Sequence, residues 1–188
     1  MAAKKKPAAK KAVAPAKPAD AKALLAELKR LGSAKYKADM ATRFGIVTSA
    51  PVYGVAVGTL RAIAKRTGYN HALAEELWAT GNHDGRMLAT MIDDPADVTP
   101  AQMDRWVKDM DNWALVDTAC FHYWDRSPHA FAKIEKWSKA KEEFVKRAGF
   151  VIMADLAHRD QQTTDAALAA FLPVIEREAG DGRNFVKK

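Results

Sequence analysis

Asp117 stands between two tryptophans at helical spacing. Trp113, Asp117, Cys120 and Trp124 fall at i, i+4, i+7 and i+11, one stripe of a helix running from Asn112 to Trp124. Leu115, Val116, Ala119 and Tyr123 form the apolar flank beside it. A lone aspartate on such a stripe is costly to bury. It must meet a base, a capping amide or a cationic ligand, and an ordinary structural pairing is the commonest of these outcomes. Trp78, Trp106 and Trp137 follow apolar helical stripes and are expected in the core.

No other cluster offers comparable chemistry. His71, His83, His122, His129 and His158 make no metal spacing with carboxylates beyond His122/Asp125 and His158/Asp160, which read as surface pairs. Cys120 is the single cysteine. That excludes an internal disulfide framework and a cysteine-based zinc cage, and Cys120 itself reads as a small core hydrophobe. There is no Walker loop, dinucleotide fingerprint or helix-hairpin-helix glycine pattern. No apolar run approaches the roughly 18 residues that span a bilayer. The N-terminus lacks the apolar stretch of a secretory leader. A soluble, cytoplasmic protein without a metal site is expected.

Charge is unevenly placed. The 188 residues carry 30 Lys and Arg against 23 Asp and Glu, a net +7. Residues 1–18 hold six lysines and no acid, whereas the other 24 bases face all 23 acids, so the body is nearly balanced. That body is polarised. Residues 22–66 hold nine bases against Glu27 and Asp39, and residues 133–147 hold six against three glutamates. Residues 93–117 hold seven aspartates against Arg105 and Lys108. A fold that brings the two basic segments together has a positive face suited to a phosphate backbone. Solvated helix faces explain the same composition equally well.

These residues need a helical scaffold. Residues 1–19 are almost all Ala, Lys and Pro, bury too little to offset chain entropy, and are expected to be a disordered tail. From Asp20 the pattern is helical. Gly32 stops a first helix, Ser33 caps a second reaching Phe44, and residues 45–58 form the one long irregular connection. Asn70 and Asn112 cap later helices, and Thr99-Pro100-Ala101-Gln102 is a capping box with proline at the first helical position. Ser127-Pro128 repeats the cap-plus-proline signal for a helix bearing Phe131, Ile134 and Trp137. A further helix carries Phe144, Ala148, Val151, Ile152 and Leu156, and the last runs from Thr164 to Glu178 with Pro173 kinking it. About ten helices joined by short turns, without strands, read as an α-solenoid or a compact bundle over residues 20–188.

Five runs in order resemble one family. GVAVGTLRAIAK (54–65), LW-x4-HDGRMLA (77–89), DNWALVD (111–117), EEFVKRAGFVI (142–152) and DGRNFVKK (181–188) are similar to the bacterial DNA alkylation repair proteins of the AlkD type. The resemblance spans residues 22–188. It implies an all-α, right-handed solenoid of HEAT-like antiparallel helix pairs whose concave basic face holds duplex DNA as a monomer. It also implies hydrolysis of the N-glycosidic bond of N3- and N7-alkylated purines, with no cofactor and with the lesion still stacked. The alternative is a non-catalytic HEAT-like module binding duplex or branched DNA.

Residue by residue, the family's W-x3-D falls on Trp113 and Asp117 and its later helix arginine on Arg147. On that reading Asp117 stabilises an oxocarbenium-like sugar or positions water, Trp113 faces the cationic nucleotide, and Arg147 reaches a flanking phosphate. The DNA-facing cations expected beside Arg147 are Arg61, Lys65, Arg86, Lys146 and Lys187. The sequence departs from the pattern at Ala114, where the family often has an acid, and at Asp84, where it has glutamate. Family members also continue past this point into a helix with a second active-site tryptophan, whereas this sequence ends at Lys188.

Overall fold

Helix starts follow the capping chemistry of the sequence. Asp20, Ser33, Asn70, Asn82, Asn112 and Thr164 each accept a backbone N–H from three residues on, and Thr99 with Gln102 forms the full capping box. The computed structural model describes residues 20–159 and 163–188, and the tail expected to be disordered lies outside them. The helices are α1 (Ala21–Leu31), α2 (Ala34–Thr42), α3 (Val57–Thr67), α4 (His71–Ala79), α5 (His83–Ile92), α6 (Pro100–Lys108), α7 (Trp113–Ala119), α8 (Ala130–Trp137), α9 (Glu143–Arg159), α10 (Asp165–Ala169), α11 (Leu172–Glu178) and α12 (Asn184–Lys187). No strand occurs among the described residues, and no helix there is long and apolar enough to cross a membrane.

The helices stack in pairs. α4 packs on α5 and α8 on α9, while α5, α7 and α9 lie side by side and α12 closes on α9. Every residue of α5 except Arg86 is buried. An aromatic spine links the layers: Trp78 of α4 stacks on Trp106 of α6 at 4.0 Å, and Tyr123, Trp124 and Trp137 continue it towards α8. The core roles expected for Trp78, Trp106 and Trp137 hold, with each at most 3% exposed. Asp104 of α6 ties α8 down by accepting hydrogen bonds from Lys136 and the Trp137 indole and pairing with Lys133 at 2.8 Å.

Three local expectations fail, each for a backbone reason. The helix from Asn112 does not stay α-helical to Trp124: Cys120–Trp124 is a π-helical turn, with the Asp125 N–H donating to the Cys120 carbonyl five residues back. The wider turn rotates Trp124 away from Asp117 and into the spine, where it is fully buried. Ser127-Pro128 does not cap α8. The Ser127 hydroxyl accepts from the His129 N–H within a turn, α8 begins at Ala130, and Phe131 is 46% exposed. Pro173 does not kink a long helix. It lies in the first turn of α11, where its missing N–H removes no helical bond, so the chain divides into α10 and α11.

The irregular loop between α2 and α3 is held from below. Asp84, 2% exposed in α5, accepts the backbone N–H groups of Tyr53 (2.7 Å), Gly54 (3.3 Å) and Val55 (2.8 Å). Gly54 has φ +81°, and a Cβ there would lie 2.5 Å from the Ser33 carbonyl oxygen. Asp84→Asn places an amide donor against one of these N–H donors. It should destabilise the fold by about 3 kcal/mol, lowering the melting temperature by roughly 6–12 °C in a circular dichroism melt.

Candidate functional site

α7 begins at a junction with the α2–α3 loop. Asp111, just before the Asn112 cap, accepts the Ser49 N–H at 2.7 Å and the Ser49 and Thr48 hydroxyls at 3.0 Å. Burial would raise the Asp111 carboxyl, but these bonds and the Asn112 amide outweigh it and hold it below its ordinary value. Two residues on, the Trp113 indole donates to the Phe44 carbonyl at 3.2 Å. Phe44 and Trp113 therefore form adjoining walls at the N-terminal end of α7.

Asp117, one turn further, faces Arg147 of α9. The guanidinium meets the carboxylate fork to fork, Nε to Oδ1 at 2.8 Å and Nη2 to Oδ2 at 2.7 Å. The two side chains are only 14% and 11% exposed. The third arm of the guanidinium, Nη1, donates to the Phe185 carbonyl of α12 at 3.0 Å. Of the partners open to Asp117, a base, a capping amide or a cationic ligand, the structure supplies a base, Arg147. A cleft of about 380 Å³ opens over the pair, lined by Phe44, Trp113, Asp117, Arg147, Phe185 and Lys188.

The expected cations divide into two groups. Arg61, Lys65 and Lys187 are exposed. Arg86 is engaged internally, bonding the Trp78 and Asp109 carbonyls and the Asp109 carboxylate while its guanidinium lies 5.1 Å from the Trp78 ring centre. Lys146, 7% exposed, bonds Glu178 and Asp181 and so fixes the segment leading to α12. Arg147 is committed to Asp117. Cys120 is wholly buried behind the site, and burial pushes its thiol well above the ordinary range, so it packs and does not react.

Phe44, Phe185 and Lys188 were not singled out from the sequence. Phe185 arrives through α12, whose N–H at Phe185 donates to Glu143 and whose ring lies 5.4 Å from Phe144. Its only sequence signal was an aromatic inside the run DGRNFVKK. Phe44 depends on the loop held by Asp84 and Asp111.

Residues 24–188 match the DNA alkylation repair enzyme family. The chain belongs to that family. Its stack of helix pairs is a HEAT-like repeat fold, similar to a solved structure with a TM-score of 0.78 and 28% identity over 90% of this chain and 72% of the other. That protein is described as one of a new family related to the HEAT-like repeat DNA glycosylases, with affinity for branched DNA structures. The uncharacterized Lin0241 of Listeria innocua is 26% identical over 114 residues, 59% of this chain, and the match spans about half (51%) of that relative's length. Trp113 and Asp117, on which the resemblance sets the family's W-x3-D, border one cleft, and Arg147 braces Asp117.

Arg147→Lys keeps the charge but not the fork, and an ammonium cannot hold both Asp117 oxygens and the Phe185 carbonyl in one plane. Hydrogen exchange should quicken at the amides of α12 while those of α4 and α5 stay unchanged.

Proposed function

We propose that this protein binds duplex DNA as a cytosolic monomer and hydrolyses the N-glycosidic bond of purines made cationic by N3 or N7 alkylation. The observation that carries this reading is the cleft: a fixed carboxylate, Asp117, set among the aromatic side chains of Phe44, Trp113 and Phe185. Aromatic faces beside a negative charge favour a cation. An alkylated purine already carries a positive charge, so it leaves as a neutral base without a general acid. The sugar left behind is oxocarbenium-like, and a preorganised carboxylate stabilises it most as that charge develops.

Arg147 then has a positioning role. Its two bonds occupy one lone-pair site on each Asp117 oxygen, and each oxygen has a second site for water or for the sugar's positive edge. The fork prevents the carboxylate from rotating, so no reorganisation is required during the reaction. Lys188 at the rim of the cleft and Arg43, 5.5 Å from the Phe44 ring centre, supply charge for adjacent phosphates.

A second reading rests on the same pair. Both Asp117 oxygens are already bonded to Arg147, which suits a strut in a non-catalytic module binding duplex or branched DNA. Incubation with a duplex bearing one N7-methylguanine separates the two. The glycosylase reading expects free base in a single turnover, falling roughly 10²-fold or more in Asp117→Asn, about 3 kcal/mol on the barrier. A duplex that stays intact while tightly bound overturns it in favour of the binding module.

A further inference from the structure

α7 carries a second concavity beyond the Asp117 cleft. Thr118, the residue after Asp117, lines a trough of about 910 Å³ between α3, the π-helical turn and the start of α8. A shallower hollow of about 330 Å³ continues it along α3, and the two share Arg61 and His122. At a rise of 1.5 Å per residue, the trough begins within about 6 Å of Asp117 along the helix.

Its lining is basic and aromatic together. Arg61 and Lys65 are exposed and meet no carboxylate among the described residues, and the Arg126 side chain is 51% exposed. Tyr69 and Phe131 are 57% and 46% exposed, unusual for rings this large. Tyr69 is set by a hydroxyl contact to the Arg126 guanidinium at 3.5 Å, and Phe131 by stacking on Phe171 at 5.7 Å. Asp125 is the acid among the described lining residues. It pairs with Arg126 at 3.6 Å, so the net positive charge of the lining rests on Arg61 and Lys65.

Cations alone suit the outside of a duplex, whose bases are stacked away from solvent. Exposed rings beside cations suit a strand whose bases are unpaired, because every base offers a face to stack on. A protein partner that fitted apolar rings would meet the two uncompensated positive charges of Arg61 and Lys65. We propose that this trough is a second nucleic-acid site that takes an unpaired DNA strand. A flapped or branched duplex would then engage the protein with its paired part at the Asp117 cleft and its loose strand in the trough. This rests on the DNA-binding part of the function proposed above and not on base excision.

The test is fluorescence anisotropy with three labelled probes: an oligothymidine of about ten nucleotides, a blunt duplex, and the same duplex with an oligothymidine flap. Phe131→Ala and Tyr69→Ala lie on the surface, and a melting curve on each confirms the fold. Each should weaken binding of the oligothymidine and the flapped duplex by about fivefold or more and leave the blunt duplex unchanged. Arg126→Ala should reduce the salt slope of oligothymidine binding by about 0.7. Equal losses on blunt duplex would make the trough part of the duplex track and overturn the proposal. So would unchanged binding of all three probes. A wild-type protein that bound no blunt duplex would overturn the DNA-binding reading itself, which is a different result from either.

Discussion

The Arg147 guanidinium joins α7, α9 and α12 at one point, bonding two oxygens of Asp117 and the carbonyl of Phe185. Its importance follows from what the C-terminal helices lack. No residue of α10, α11 or α12 is fully buried, and their apolar anchoring rests on partly buried residues such as Phe171, Val174 and Phe185. Charged contacts from α9 add to that: Glu143 accepts the Phe185 N–H, Lys146 holds Glu178 and Asp181, and Arg147 holds Phe185. These bonds, with the contact of its ring on Phe144, set Phe185 as a wall of the cleft. Removing one partner of so enclosed a pair costs about 3–5 kcal/mol, chiefly through the charge left behind. The same guanidinium fixes the angle at which Asp117 faces the cleft, so stability and site geometry share one interaction.

The opposite wall depends on two further aspartates. Asp111 accepts the Ser49 N–H in the middle of the α2–α3 loop and Asp84 accepts N–H groups near its end, while the Phe44 carbonyl at its start meets the Trp113 indole. Behind them the aromatic spine supplies the rigid part. Cleft residues thus come from a loop, from α7 and α9 and from the short α12, all carried by a buried stack. Positions on loops and ends can vary in chemistry without disturbing the core that holds them.

Features written in neighbouring residues were legible in the sequence. The caps at Ser33, Asn70 and Asn112, the Thr99–Gln102 box and the burial of Trp78, Trp106 and Trp137 depend only on local chemistry or on helical period. Trp124 was misplaced because a π-helical turn changes the period without any marker in composition. Pro173 was legible as a break but not as a start. Burial cost required a partner for Asp117, but the sequence could not say that it lay 30 residues away on α9. The resemblance pointed Arg147 outward to a phosphate, while its fork is turned inward. Phe44 and Phe185 were invisible because their meeting depends on a loop and a terminal helix held by tertiary bonds.

The central claim is that Asp117 serves both as a strut and as the charge that acts on the nucleotide. A double-mutant cycle of Asp117→Asn and Arg147→Gln, with melting temperature and N7-methylguanine release measured on the same preparations, separates the two roles. Each single variant should melt early, and the double variant should be no less stable than the worse single, since no unpaired charge remains. Release should stay low in both chains that lack the Asp117 charge, however stable they are. Release that returned in the double variant along with its stability would overturn the catalytic role and leave Asp117 as a strut alone.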